Sequence, residues 1–123
     1  MVSYHYARLL QTPPRIPLLI DSGGFAALFE NARIIKAGNL GLLKLKYDDR
    51  TETLHPSEVL SVQEQLADVA FTLDFPIPPG LDLKEARKRQ RLTIANATWA
   101  LENRRRQDLK LYACLQAWDV PSA

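Results

Sequence analysis

Pro17-Leu18-Leu19-Ile20-Asp21-Ser22-Gly23-Gly24-Phe25 decides how this chain is read. An apolar run with the character of a buried strand stops abruptly at a carboxylate, a hydroxyl, two glycines and an aromatic ring. The same grammar recurs twice: Val69-Ala70-Phe71-Thr72-Leu73 ends in Asp74, and the run from Leu109 to Leu115 ends in Gln116. Helix-like sequence lies between these runs, which predicts successive parallel β/α units. In β/α barrels the functional groups gather at the C-terminal ends of the strands. Asp21, Asp74 and Gln116 are therefore expected to converge on one site.

The segments between the strands fill in the plan. Phe25 to Ile35 has no clean helical period, whereas Ile34-Ile35-Lys36 and Leu42 to Tyr47 flank Gly38-Asn39-Leu40-Gly41. Such runs around Gly and Asn predict a β-hairpin, inserted between the strands that carry Asp21 and Asp74. His55-Pro56-Ser57-Glu58 opens a helix, with proline in the first turn and an acid suited to the dipole. Val59, Val62 and Leu66 give that helix an apolar stripe. The strand from Asp68 to Phe75 is stopped by Pro76, Pro78, Pro79 and Gly80. Asp82 then caps a long helix to about Arg106, with Ala86, Leu92, Ala95, Trp99 and Ala100 on its inner side. Val2 to Leu10 reads as a further strand, followed by breakers at Pro13, Pro14 and Pro17.

Three or four strands and two or three helices fall short of a closed barrel, which takes eight of each in about 250 residues. The expected fold class is α/β: a partial (β/α)8 TIM-type barrel with an inserted hairpin, forming one domain over residues 1–123. Bare sheet edges imply either a fragment of a longer enzyme or an open domain completed by a partner chain or a second copy. The ending at Ser122-Ala123, just after a strand-end loop, reads as a truncation.

Composition excludes several classes. With 24% charged and 46% apolar residues the chain is an ordinary globular sequence, not a disordered one. A net charge of +2 does not by itself imply a nucleic-acid partner. However, Lys84, Arg87, Lys88, Arg89, Arg91, Arg104, Arg105, Arg106 and Lys110 hold over half of the 16 basic residues in one segment. That segment reads as a solvated outer face, with nucleic-acid contact as its functional alternative. Cys114 is the one cysteine, which rules out an internal disulfide and any multi-cysteine zinc site in this chain. No apolar run approaches about 18 residues and no basic-plus-apolar leader is present, so a cytoplasmic protein without a membrane partner is expected.

Asp21-Ser22-Gly23-Gly24-Phe25 offers an acid, an aromatic platform and amides that a ligand can approach closely, because glycine has no Cβ. With Asp74 and Gln116 added, a carboxylate and a carboxamide can read the edge of a planar heterocycle while an aromatic ring stacks on its face. That pattern fits a purine-like base. Structural readings stand beside it: a tight turn at the glycines, a loop cap at Asp74, a packed thiol at Cys114, a helix entry at His55, and packing roles for Trp99 and Trp118.

The chain resembles the N-terminal half of the tRNA-guanine transglycosylase superfamily. Leu19 to Phe25 is similar to that family's hallmark strand and loop, and Leu54-His55-Pro56-Ser57-Glu58 with Gln63 to its following helix segment. Asp68 to Asp74 resembles the strand ending in a base-reading Asp, and Leu111 to Gln116 the strand ending in a base-reading Gln. Tyr4-His5 is weakly similar to a Tyr-His pair before the hallmark, and the ordered matches span roughly residues 4 to 118. The resemblance implies an enzyme, a glycosyltransferase that exchanges guanine in tRNA or DNA for a 7-deazaguanine, as in queuosine or archaeosine formation. Asp21 would contact the base and act in acid/base exchange. Ser22 would donate to the base, Gly23 and Gly24 would let it approach, Phe25 would stack on it, and Asp74 and Gln116 would read its Watson–Crick side. The family's nucleophilic Asp and its three-Cys-one-His zinc site belong to later sequence, so no cofactor is implied for this chain. Ala26, where the family has Gln, and Ala117-Trp118, where it has Gly, resemble the divergent branch that modifies DNA. The alternative is a non-catalytic nucleic-acid-binding or accessory module derived from the same fold.

Overall fold

The computed structural model describes residues 1–10, 17–119 and 121–123, so Pro13 and Pro14 lie outside the described residues. In chain order come a one-turn helix α1 (Tyr4–Ala7), β1 (Leu19–Ile20), a 3-10 turn (Gly24–Leu28), β2 (Ala32–Ala37), β3 (Leu40–Lys46) and β4 (Thr51–Leu54). Then follow α2 (Pro56–Leu66), β5 (Val69–Phe71), α3 (Leu83–Asn103) and β6 (Lys110–Tyr112). The architecture is mixed α/β with two three-stranded sheets, one parallel in the order β1-β5-β6 and one antiparallel in the order β2-β3-β4. Among the described residues the strands do not close into a barrel.

The parallel sheet is in the expected arrangement. Leu19 pairs with Val69 and Val69 with Lys110, while Ile20, Ala70 and Leu111 form the next row. That second row faces the core: Ile20 and Ala70 are fully buried and Leu111 packs against them. The opposite face carries Leu19, Val69 and Phe71, half-buried, and Lys110 and Tyr112, exposed. A parallel sheet is normally covered on both faces, whereas this one has a face that is only partly covered.

The hairpin forms at the expected place, with Ala37 opposite Leu40 and Gly38 at φ +60 in the turn. It gains a strand the sequence reading did not include, because Thr51 to Leu54 pairs with Lys46 to Leu43. On β3 the inward positions are Gly41, Leu43 and Leu45, with the two leucines at most 1% exposed. They pack towards α3, whose inner face holds Ala86, Leu92, Ala97 and Ala100.

Val2 to Leu10 is not a strand. The Ser3 hydroxyl accepts from the Tyr6 amide and starts a single helical turn, which buries Tyr4 and Ala7 on one face. Only Val2 remains in the sheet, as a parallel bridge to Ile20. Two other elements are shorter than expected. β5 and β6 cover only three residues each, and α3 ends at Asn103 because Arg104 turns to extended backbone. The Arg104 guanidinium then donates to the carbonyls of Arg106, Gln107 and Leu109, closing the turn into β6. No helix of the described residues is long and apolar enough to cross a membrane.

Candidate functional site at the strand ends

Beyond the last paired residues of β1, β5 and β6, three side chains meet. Asp74 is 9% exposed, and both its carboxylate oxygens are engaged. Ser22 Oγ donates to Oδ1 at 3.0 Å, and Gln116 Nε2 donates to Oδ2 at 2.6 Å. The Ser22 hydroxyl in turn accepts from the Gly24 amide at 3.1 Å, and Gln116 Oε1 accepts from the Ile77 amide at 3.4 Å. Each of the three parallel strands thus delivers one polar side chain to one cluster. Such a fully paired group is rigid, since charge-assisted bonds to a carboxylate are among the stronger ones in proteins.

The segments that carry the cluster are held by polar side chains from the helices. Gln63 of α2, 1% exposed, donates to the Phe71 carbonyl at 2.8 Å and the Asp21 carbonyl at 3.3 Å, joining the ends of β5 and β1. From α3, Asn96 donates to the Leu73 carbonyl at 3.3 Å, and Thr93 Oγ1 accepts from the Phe75 amide at 3.0 Å. The residues on both sides of Asp74 are therefore fixed by two side chains one helical turn apart. Asn96 also exchanges two bonds with Gly41, donating to its carbonyl at 3.0 Å and accepting from its amide at 2.9 Å. Arg89 donates to the Pro76 carbonyl and Gln90 to the Gln116 carbonyl. Of these holders the sequence marks Gln63, through the family resemblance, and Arg89, as part of the basic segment. The signal for Asn96 and Thr93 was polar residues at helical spacing on an otherwise apolar face.

The glycine pair is a close-packing device. A Cβ on Gly24 would lie 2.0 Å from the Asp74 carbonyl oxygen, so only glycine allows the loop to sit against Asp74. Gly23 has φ +80, and its carbonyl lies 3.3 Å from His5 Nε2. Asp21 does not join the cluster by a direct hydrogen bond. Its Oδ1 accepts from the Gly23 amide at 3.0 Å and the Tyr4 amide at 3.3 Å, an Asx-type turn closed by α1. Phe25 is 66% exposed and stands edge-on to Phe29 with ring centroids 6.2 Å apart. It presents a free aromatic face beside the loop.

Cys114 sits close enough to feel both acids. Burial pushes its thiol up to about 11, and the Asp74 and Asp21 carboxylates add to the rise. The protonated thiol is thus the native form at neutral pH, and Cys114 is a poor nucleophile there. In the unfolded chain the thiol would ionise near its ordinary value of 9.0. The unfolded state therefore loses its proton first, and native stability falls as pH rises from about 9 to about 11. Thiol alkylation should be slow near pH 7.5 and accelerate towards pH 11, as read by mass spectrometry over a pH series. Rapid labelling at neutral pH would contradict the burial argument.

Among the described residues no group of three His, Cys, Asp or Glu side chains is gathered to hold a metal ion. The lone Cys114 cannot by itself supply a three-Cys-one-His zinc site. The chain matches no protein-family model and no curated protein.

Proposed function

We propose that this chain is the base-recognition part of a base-exchanging transglycosylase, a pentosyltransferase that replaces guanine in tRNA or DNA with a 7-deazaguanine, in the cytoplasm. The observation that carries this reading is the Ser22–Asp74–Gln116 cluster at the C-terminal ends of three neighbouring parallel strands. A carboxylate with two accepting oxygens matches the paired N–H donors on the Watson–Crick edge of guanine, and a carboxamide beside it supplies both a donor and an acceptor. On Asp74 the base would have to displace the Ser22 and Gln116 donors, which could then turn to the base themselves. Phe25 would swing over the base face, and Gly23 and Gly24 leave room for its approach. The partly open face of the parallel sheet supports the partial barrel, as the interior wall of a barrel whose remaining strands come from elsewhere.

Base exchange needs a nucleophile that holds the sugar while one base leaves and another enters. Asp74 is committed to the base in this reading, and Asp21 is turned into the loop against two backbone amides. The orientation of Asp21 favours the rival reading, a nucleic-acid-binding module without chemistry of its own. In either case the isolated chain should bind a guanine or 7-deazaguanine base weakly and show no turnover.

Calorimetric titration of the purified chain with guanine and 7-deazaguanine tests this directly. Asp74→Ala should weaken binding by about tenfold to a hundredfold, the effect of about 1–3 kcal/mol for a buried partner left unpaired. Equal affinity in the variant and the parent would remove the base-reading role. Stable incorporation of labelled guanine into tRNA or duplex DNA would show that a nucleophile is present after all, with Asp21 the first residue to examine.

A further inference from the structure

A basic hollow lies between the hairpin and α3. Lys36 and Asn39 of the hairpin and Lys88, Arg91, Leu92 and Ala95 of α3 line this space of about 580 Å³. Its wall holds three cations and no acid. Lys88 Nζ donates to the Ile34 carbonyl at 3.1 Å, which fixes the ammonium in place without neutralising it. Among the described residues no carboxylate lies within salt-bridge distance of Lys36, Lys88 or Arg91. The acid nearest in sequence on this helix, Glu85, is paired with Arg89 at 3.3 Å.

The charge continues along the hairpin. Arg33, Lys88 and Arg89 border an adjoining hollow that also holds Glu85, and Arg33, Lys44 and Lys46 border a third that also holds Glu30. The cations therefore run as a belt from the α3-facing side of the hairpin around its β2 edge to the outer side, where Arg33, Lys44 and Lys46 lie. The belt lies beside the strand ends. The loop after Asp74 leads directly into α3, Arg89 holds the Pro76 carbonyl, and Leu92 in the wall of the hollow lies with Phe75 against Gly41.

We propose that this hollow and its belt bind the phosphodiester backbone of a nucleic acid. A linear polyanion can meet several cations in succession, whereas a single phosphate can use only one hollow. A flat anionic membrane fits less well, because the cations line concavities instead of a convex face. Contacts of this kind position a strand without reading its sequence. The inference stands on the charge and shape of this face and does not depend on base exchange.

The test is fluorescence anisotropy of the full chain with labelled single-stranded and duplex oligonucleotides at about 50 and about 200 mM salt, where backbone contacts lose affinity steeply. The variant K36Q/R91Q removes two exposed cations and leaves the Lys88–Ile34 bond intact. Its affinity should fall tenfold or more, and its salt slope should shrink by about 1.8 for duplex or about 1.4 for a single strand. R105Q/K110Q, which removes the same charge elsewhere, should lose much less. Circular dichroism melting checks that both variants remain folded. The proposal is overturned if the parent binds neither oligonucleotide, or if both variants weaken binding equally. Tighter binding to anionic vesicles than to nucleic acid would also overturn it, and would assign the surface to a membrane.

Discussion

Asn96→Ala is expected to destabilise the fold by about 3–5 kcal/mol, because three buried backbone groups would lose their partner at about 1–3 kcal/mol each, partly relieved by local movement. Asn96 is 1% exposed and serves the amide and carbonyl of Gly41 and the carbonyl of Leu73. It makes the bonds a neighbouring strand would make, but from the middle of a helix. Its loss would uncouple the hairpin from α3 and free the backbone just before Asp74. The melting temperature should drop by about 10–20 °C for a chain of this size. Denaturant titration and thermal melting measure both effects. A loss below about 1 kcal/mol would mean that water or a neighbouring group replaces the amide.

Gly24→Ala should cost about 3 kcal/mol, at the upper end of usual overpacking penalties. The new methyl would stand 2.0 Å from the Asp74 carbonyl oxygen and 2.9 Å from its Oδ1. The first of these is a backbone atom flanked by the bonds from Thr93 and Asn96, so it cannot yield without moving the strand end. The loop would have to retreat, and Ser22 with it. The variant should therefore lose base affinity as well as stability, with amide shift changes in NMR spectra concentrated at residues 22–24 and 73–75. A variant as stable as the parent would show that the loop does not pack on Asp74 in solution.

These two positions also show what the sequence could and could not reveal. The parallel strands, the hairpin and both long helices were legible from their apolar runs and periods, with Gly or Pro marking the hairpin turn, the start of α2 and the loop between β5 and α3. Thr51 to Leu54 was not, since a short polar run becomes a strand only through its pairing with β3. Tyr4 to Ala7 looked extended because it is aromatic-rich, and the Ser3 cap outweighed that propensity. The meeting of Asp74 with Gln116 followed from the strand ends, with Asp21 and not Ser22 as the expected third member. The turn of Asp21 away from them did not, because an aspartate can bond the amide two residues ahead as easily as it can face a site. Asn96 was hidden for a related reason. Helical periodicity marks its face as buried but does not say which backbone groups lack partners there.

The two sheets differ in how far apart along the chain their partners lie, and this sets an order of assembly. The hairpin joins neighbours in sequence, and such units close on a scale of about 1–10 μs. The parallel sheet must instead bring together segments such that Ser22 and Asp74 are 52 residues apart, and Asp74 and Gln116 42 apart. Closing loops of that size loses chain entropy before any contact compensates for it, so non-local pairing comes late. The Ser22–Asp74–Gln116 cluster thus belongs to the last step of folding, after the hairpin and helices have formed. A chain emerging from the ribosome would carry the basic hairpin early and gain the strand-end cluster only once Gln116 is free to dock.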